Sequence, residues 1–175
     1  MRLLPVNHLL PLALLLAVTG TAQALPTDRD QPVQVNADTA TADGKTGIAT
    51  YRGNVVVKQG TLEIRADEIV ITTDKKGAIL STVSKGNPAR YQQQPDPKKG
   101  IVTAEAQRID YDAKNENIKL TGNAKLKQDG SSFSGQTITY DSLRQQVNAK
   151  GDGSNRVQLV FPPQARELNK KDVKK

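Results

Sequence analysis

The stretch that decides the fold is residues 51–67, YRGNVVVKQGTLEIRAD. Leu62-Glu63-Ile64 alternates apolar and polar residues, which is typical of a half-buried strand. Residues 52–59 also match residues 121–128, TGNAKLKQ, which carry the same Gly-Asn pair and the same closing Lys-Gln. An internal match of this kind predicts a repeated β unit whose copies share one core.

The same period-two pattern recurs along the chain, and no window between Gln31 and Phe161 shows a helical stripe. Alternating segments occur at Val33-Gln34-Val35, Ile109-Asp110-Tyr111, Ile118-Lys119-Leu120, Ala124-Lys125-Leu126 and Ile138-Thr139-Tyr140. We predict that the strands are connected by turns at Asp43-Gly44, Gly53-Asn54, Lys76-Gly77, Gly86-Asn87-Pro88, Gly122-Asn123, Asp129-Gly130 and Gly151-Asp152-Gly153. The chain is therefore predicted to be all-β.

A weaker register indicates four repeat units. Each unit begins with a small-acidic-like pair, continues to an Asp and reaches a Gly-Asn-like turn. The pairs are Ala37-Asp38, Ala66-Asp67, Ala104-Glu105 and Gly135-Gln136. The aspartates are Asp43, Asp74, Asp112 and Asp141, and the turns are Gly53-Asn54, Gly86-Asn87, Gly122-Asn123 and Gly151-Asp152. Because the aspartates recur, we predict that they form turns or cap the backbone and do not act as one specialised acid and base.

The two ends of the chain are predicted to lie outside the folded domain. Residues 1–24 have the features of a secretory signal peptide, with Arg2, an apolar run from Leu9 to Val18 and the cleavage signal Ala22-Gln23-Ala24. An uncleaved membrane anchor is the alternative, but the apolar run is shorter than a bilayer span. Residues 25–163 then form one β domain, and residues 164–175 form a basic tail that we predict to be disordered.

The composition argues against an enzyme and against a metal site. The chain has no Cys, and its single His, His8, lies in the predicted signal peptide. This excludes Ser-His-Asp and Cys-His nucleophiles and the usual zinc ligands from the domain. Asp110 and Asp112 share one strand face and are candidates for a glycosidase pair, but a solvated face explains them better. We therefore predict no catalytic residues, no metal and no cofactor.

The charge and the aromatic content leave the ligand open. A net charge of +7 on an exported protein favours anionic lipid head groups or phosphorylated glycans over nucleic acid, although solubility alone explains it equally well. Only six residues are aromatic, namely four Tyr and two Phe. An aliphatic interior leaves room for a long groove, but composition alone slightly favours a closed aliphatic core.

The resemblance of the chain to a known family decides between these alternatives. Residues 30–38, DQPVQVNAD, the opening stretch 51–67, residues 120–124 and Ile138-Thr139-Tyr140 resemble the OstA-like family of periplasmic lipopolysaccharide-transport proteins. The likeness runs from about Asp30 to Phe161. It implies an antiparallel β-jellyroll, shaped as an open-ended twisted trough, that binds the lipid A part of lipopolysaccharide in the periplasm. It also implies end-to-end self-association and partners of the same fold, LptC-like at the inner membrane and LptD-like at the outer membrane.

Alternation combined with this resemblance selects the residues of a lipid-binding groove. They are Val33, Val35, Val55, Val57, Leu62, Ile64, Ile69, Ile71, Ile109, Tyr111, Leu126, Phe133, Ile138 and Tyr140. Partner-docking edges are predicted at Val33, Gln34, Val35 and Asn36, and at Val157, Gln158, Leu159, Val160 and Phe161. The resulting function is a carrier or bridge that takes lipopolysaccharide from the inner membrane to the outer-membrane translocon. The alternative is a periplasmic β-repeat adaptor, structural or glycan-binding.

Overall fold

A computed structural model describes residues 28–163, apart from residues 95, 96, 98, 99, 116, 142, 143, 145 and 155. The predicted signal peptide and the predicted basic tail lie outside the described residues, so these two boundaries remain predictions. A short 3-10 turn, Asp28–Asp30, precedes the strands. The strands are β1 Gln34–Asn36, β2 Thr39–Asp43, β3 Ile48–Gln59, β4 Leu62–Thr73, β5 Ile79–Gln93, β6 Val102–Asp112, β7 Asn117–Gln128, β8 Ser131–Asp141, β9 Gln146–Lys150 and β10 Gln158–Val160.

The strands form one antiparallel sheet in which consecutive long strands are neighbours. The order is β1-β3-β4-β5-β6-β7-β8-β10, with β2 also paired to β3 and β9 also paired to β8. Each outer position is therefore shared by two short strands, β1 and β2 at one edge and β9 and β10 at the other. The predicted all-β class is confirmed.

An irregular row crosses the sheet through the middle of the long strands. The register shifts between Arg52 and Val55 in β3, between Lys85 and Ala89 in β5 and between Thr121 and Ala124 in β7, and each shift faces a matching one on the neighbouring strand. We call this row the crease. Its residues are Gly53, Asn54, Asp67, Gly86, Asn87, Pro88, Gln107, Gly122, Asn123 and Gln136.

The crease corrects the prediction that every Gly-Asn pair connects two strands. Gly53-Asn54, Gly86-Asn87 and Gly122-Asn123 lie inside β3, β5 and β7. Gly53 and Asn54 have φ of +79° and +46°, which bends the strand without ending it. Glycine is required because a Cβ on Gly53 would lie 2.1 Å from Oδ2 of Asp38. Three predicted turns, at Asp43-Gly44, Lys76-Gly77 and Asp129-Gly130, do connect strands, and Gly151-Asp152-Gly153 lies between β9 and β10.

The predicted start of the third repeat unit is also wrong. Ala106-Gln107, rather than Ala104-Glu105, is the pair opposite Gly122-Asn123, because a Cβ on Gly122 would lie 2.3 Å from Oε1 of Gln107. The third unit therefore starts two residues later than predicted.

The crease divides the sheet into two half-sheets. Half-sheet A contains β2, β9 and the parts of the long strands at 48–52, 68–73, 79–85, 108–112, 117–121 and 137–141. Half-sheet B contains β1, β10 and the parts at 55–59, 62–66, 89–93, 102–106, 124–128 and 131–135. Beside the crease most of the buried side chains are small: Ala66, Ala89, Ala106 and Ala124 lie there, together with Val55. Small side chains at this position allow the two half-sheets to fold towards each other.

The repeated aspartates close the turns at the outer ends of half-sheet A. Asp43 Oδ1 accepts the amide of Lys45 at 2.8 Å, and Asp74 Oδ1 accepts the amide of Lys76 at 2.8 Å. Asp112 and Asp141 bind the amides of Lys114 and Arg144 in the same way, each at 2.9 Å. The predicted turn-forming role of the recurring aspartates is confirmed.

Candidate functional site

The interior contains a cavity of about 580 Å³ between the two half-sheets. Its wall comes from both sides of the crease, with Val57, Leu62 and Ile64 in half-sheet B facing Ile69, Ile71 and Ile109 in half-sheet A. The full lining is Asp28, Val33, Val57, Gln59, Leu62, Ile64, Ile69, Ile71, Gly77, Ala78, Ile79, Thr82, Ser84, Tyr91, Gln93, Ile109, Tyr111, Ala113 and Ile118. Most of these side chains are aliphatic, so the cavity is suited to an apolar ligand.

The cavity extends across the strands. Most of its lining comes from the five consecutive strands β3 to β7, and the rest from Asp28, Val33, Gly77, Ala78 and Ala113. With neighbouring strands about 4.8 Å apart, this corresponds to a length of roughly 19 Å. The volume lies within the range of roughly 300–1,000 Å³ that is usual for sites that enclose organic ligands.

Much of β7, and β8 after it, contributes closed core. Leu120, Ala124, Leu126 and Ile138 are buried, with exposed fractions of 1%, 1%, 6% and 0%. At the edge, Phe133 packs against Phe161 with perpendicular rings whose centroids are 5.9 Å apart. In this structure the cavity therefore occupies the side of the molecule nearer to β1.

The rim of the cavity carries a polar cluster centred on Asp28. Asp28 Oδ1 accepts the amide of Thr61 at 2.7 Å, and Oδ2 accepts the Thr61 hydroxyl and Nε2 of Gln93, both at 2.7 Å. The Tyr91 hydroxyl donates to Oε1 of Gln93. These contacts fix residues 28–33, which we call the strap, to the β3–β4 hairpin and to the end of β5.

Two groups of this cluster have shifted pKa values. Burial opposes ionisation of Asp28, but the hydrogen bonds from the Thr61 amide, from Gln93 and from the Thr61 hydroxyl outweigh it and hold the pKa below its usual range. Burial raises the pKa of Tyr91, and the nearby Tyr111, Asp28 and Tyr140 add to the shift. Asp28 is therefore ionised and Tyr91 neutral near neutral pH.

The structure brings together part of the predicted groove. Val33, Val57, Leu62, Ile64, Ile69, Ile71, Ile109 and Tyr111 line the cavity. Val55, Leu126 and Ile138 are instead closed core, and Val35 and Phe133 pack against that core from half-sheet B. Tyr140, half-buried on β8, also lies outside the cavity wall. Alternation identifies the inward face of a strand but does not show where the interior is open.

Sequence reasoning missed several residues of the wall. Ile79, Tyr91 and Ile118 line the cavity, together with Ala78, Ala113, Gln59 and Gln93. Ile118 lies in an alternating segment, Ile118-Lys119-Leu120, so its inward-facing position could have been predicted from the sequence. Tyr91 is not predicted as a groove residue, because Gly86-Asn87-Pro88 just before it is predicted to be a turn between strands.

The two predicted docking segments lie at opposite edges of the sheet. Gln34–Asn36 pairs with β3, and Gln158–Val160 pairs with β8. Leu159, Val160 and Phe161 are exposed by 48%, 49% and 63%. Sequence reasoning missed that β2 and β9 share these edges, because β2, TATAD, alternates Thr only with the small Ala and β9, QVNAK, has a single larger apolar residue, Val147.

The paired carboxylates of β6 have structural partners. Arg108 donates to both oxygens of Asp110, each from Nε at 2.9 Å, and Asp112 binds the turn that follows it. Over the described residues, no three His, Cys, Asp or Glu side chains group as a metal site. In the same part of the chain, no helix has the length and hydropathy of a membrane span.

Comparison with known proteins identifies the family. A family model described as the LptA/(LptD N-terminal domain) LPS transport protein matches residues 34–146. The chain belongs to this family of lipopolysaccharide transport proteins. The resemblance to the OstA-like family, predicted from the sequence, is thereby confirmed.

Individual members of the LptA family match along most of the chain. The lipopolysaccharide export system protein LptH of Pseudomonas aeruginosa is 40% identical over 152 residues, which span 83% of this chain and 87% of LptH. The export system proteins LptA of Haemophilus influenzae and Escherichia coli are 37% and 35% identical over 159 residues, which span 90% of this chain and 92% and 85% of those relatives.

A solved structure confirms the fold of this LptA family member. The crystal structure of LptH from Pseudomonas aeruginosa, described as the LptA-homologous periplasmic component of a lipopolysaccharide transport device, superposes with a TM-score of 0.70 at 39% identity. The match covers 79% of this chain and all of the LptH chain, 100%. The predicted jellyroll is therefore correct, and lipopolysaccharide transport is the function of the family.

Proposed function

We propose that the chain carries lipopolysaccharide across the periplasm by holding lipid A acyl chains in the cavity between the half-sheets. The observation that carries this proposal is the aliphatic lining of the cavity, which both half-sheets supply. The family membership supports it, because the relatives are named as lipopolysaccharide export system proteins. The predicted signal peptide is consistent with the periplasmic location.

The energetics of acyl chains explain why a carrier needs such a cavity. Burying one CH₂ group contributes roughly 0.8 kcal/mol, so exposing a chain of about twelve carbons to water costs on the order of 10 kcal/mol. Leu62, Ile64, Ile71 and Ile79 offer interchangeable contacts along the wall. Interchangeable contacts allow a bound chain to slide, whereas a few specific polar anchors would hold it in place.

The two edges of the sheet are the proposed docking surfaces. β1 and β2 form one edge of the sheet, and β9 and β10 form the other. A strand of a like-folded neighbour can pair with either edge. We propose LptC-like and LptD-like partners and further copies of this chain at these edges. Since the cavity extends along the direction of strand stacking, end-to-end addition would bring neighbouring cavities into line.

The proposed carrier is not an enzyme and needs no cofactor. Carboxylates that have a candidate catalytic spacing, Asp110 and Asp112, are engaged by Arg108 and by a turn. The cavity is lined mainly by aliphatic side chains, and the polar groups among its lining include Asp28, Tyr91, Tyr111, Thr82 and Ser84.

Binding of intact and deacylated lipopolysaccharide to the purified protein tests the proposal. If the cavity holds acyl chains, intact lipopolysaccharide binds and the deacylated form, which keeps its sugars and phosphates, does not compete. Equal competition by the deacylated form would overturn the proposal and favour a glycan-binding adaptor. The substitution Ile71→Asp, which places a charge in the cavity wall, is expected to abolish binding, whereas Val70→Asp, on the opposite face of β4, is the matched control.

A further inference from the structure

The strap contributes to the cavity wall without belonging to the sheet. Asp28 and Val33 line the cavity, and Asp28 is the one acidic residue among the described residues of its lining. Residues 28–33 precede β1, whose pairing with β3 begins only at Gln34. The strap can therefore move about Gln34 without breaking a backbone ladder.

The contacts that hold the strap are made by side chains. Asp28 binds the amide and hydroxyl of Thr61 and the amide group of Gln93. A further bond runs from Nε2 of Gln59 to the carbonyl oxygen of Gln31, at 3.0 Å. Each of these groups lies near the surface, where water can replace its partner, so the bonds can break and re-form.

One chain of hydrogen bonds links the strap to the inside of the cavity. The Tyr91 hydroxyl donates to Gln93, and Gln93 in turn donates to Asp28. Tyr91 and Gln93 both line the cavity. An apolar chain that packs against the Tyr91 ring therefore acts on the residue that anchors the strap.

We propose that the strap is a lid on the rim of the cavity, which detaches from Thr61 and Gln93 when a long acyl chain enters or leaves. The inference rests on the proposed function, since it supposes that the cavity takes acyl chains. It adds a gate, built from Asp28 and its partners, that controls how fast an acyl chain enters and leaves the cavity.

Gly60 offers a way to displace the strap without altering Asp28. Gly60 has φ +58°, and a Cβ there would lie 2.2 Å from Oδ1 of Asp28. The substitution Gly60→Asn keeps a residue that tolerates positive φ but forces the strap away. Gly130 is the matched control, because it has φ +77° in the β7–β8 hairpin and its Cβ would approach only Pro162, at 3.4 Å.

The experiment measures the dissociation rate of the fluorescent fatty acid cis-parinaric acid from the full chain and from Gly60→Asn, Asp28→Ala and Gly130→Asn. Both strap variants are expected to release the probe about tenfold faster, because hydrogen bonds to an ionised group are among the stronger ones. Gly130→Asn is expected to match the unaltered protein. Thermal unfolding of each variant shows that it is folded.

Amide hydrogen exchange at Thr61 gives a second readout. Its amide is bound by Asp28 at 2.7 Å, so with the fatty acid bound and the strap closed it is expected to exchange slowly in the unaltered protein and faster in Gly60→Asn. Unchanged dissociation rates in both strap variants, or a Thr61 amide that exchanges as fast in the unaltered protein as in Gly60→Asn, would overturn the lid. Failure of every variant and of the unaltered protein to bind the probe would instead contradict the proposed function, and the lid with it.

Discussion

Single buried residues show where the interior is closed. Ile138 was assigned to the groove from alternation, yet it is 0% exposed and lies with Leu120 and Leu126 beyond the end of the cavity. Its side chain thus contributes to folding, whereas Ile64 and Ile71 also face open volume. This difference is decided by packing across the two half-sheets, which no pattern within a single strand contains.

Truncation of Ile138 tests this closed core. Ile138→Ala is expected to lower the free energy of unfolding by about 2–5 kcal/mol, through lost burial and the space left behind. Ile48→Ala, at a position that is 42% exposed, is the matched control and is expected to cost less than about 0.5 kcal/mol. Urea denaturation of both variants measures the difference, and equal small losses would show that the interior is open at β8.

A second residue-scale prediction concerns the crease. Gly53→Ala is expected to destabilise the protein by about 1–3 kcal/mol, because Ala is strained at positive φ. The added Cβ would also collide with Asp38. Gly44→Ala is the control, since nothing lies within 4 Å of a Cβ there. The same urea measurement applies, and a neutral Gly53→Ala would contradict the role of glycine in the crease.

At the scale of elements, the sequence predicted strands well and their limits less well. Alternation found segments in β4, β6, β7 and β8, and the recurring aspartates marked the turns of half-sheet A. The Gly-Asn pairs were wrongly predicted as connecting turns, because residues with positive φ occur both in hairpin turns and in bulges inside a strand. Only the pairing of neighbouring strands distinguishes the two, and that information is non-local.

The turns and ion pairs make stability depend on pH. Hydrogen bonds from the Lys45 amide and Thr46 lower the pKa of Asp43, and those from Asn115 and the Lys114 amide lower that of Asp112. The Lys85 side chain, with Arg52, lowers the pKa of Glu68 against the opposing effect of burial. Each group therefore binds fewer protons in the folded state than in the unfolded state.

The sign of the effect follows from these lowered values. The stabilisation is fully present above the unfolded pKa, about 4 for a carboxyl group, and is lost as the pH falls through the folded pKa. The urea midpoint is expected to fall on acidification below about pH 4, and less steeply for Asp43→Asn combined with Asp112→Asn. A midpoint that stays constant or rises in this window would contradict the prediction.

The exposed edge strand β10 is expected to take part in self-association. Leu159→Lys places a charge on an edge strand, which natural proteins use to prevent strand addition. We expect this variant to shift sedimentation towards the monomer at concentrations where the unaltered protein self-associates. Gln92→Lys adds the same charge at an exposed position of the central strand β5 and should leave association unchanged. Equal association of the two variants would exclude β10 as a docking edge.

At the scale of the whole molecule, the crease turns one continuous meander into two facing walls. Small side chains such as Ala89 and Ala106 lie beside the crease, and larger aliphatic side chains line the cavity further from it. The family resemblance predicted the jellyroll and its function, but the position of the cavity within β3 to β7 depends on the three-dimensional arrangement. Of the strap, which precedes the first strand, the sequence pointed to Val33 but not to Asp28.

The central claim is that acyl chains bind between the half-sheets, and photo-crosslinking to lipopolysaccharide tests it most directly. A photoreactive side chain is placed at Ile64 or Ile118, which line the cavity, and at the adjacent Arg65 or Lys119, which are exposed on the opposite face of the same strands. The account predicts adducts at Ile64 and Ile118 and none at their neighbours. Equal adducts on both faces, or adducts at Arg65 and Lys119 alone, would contradict it.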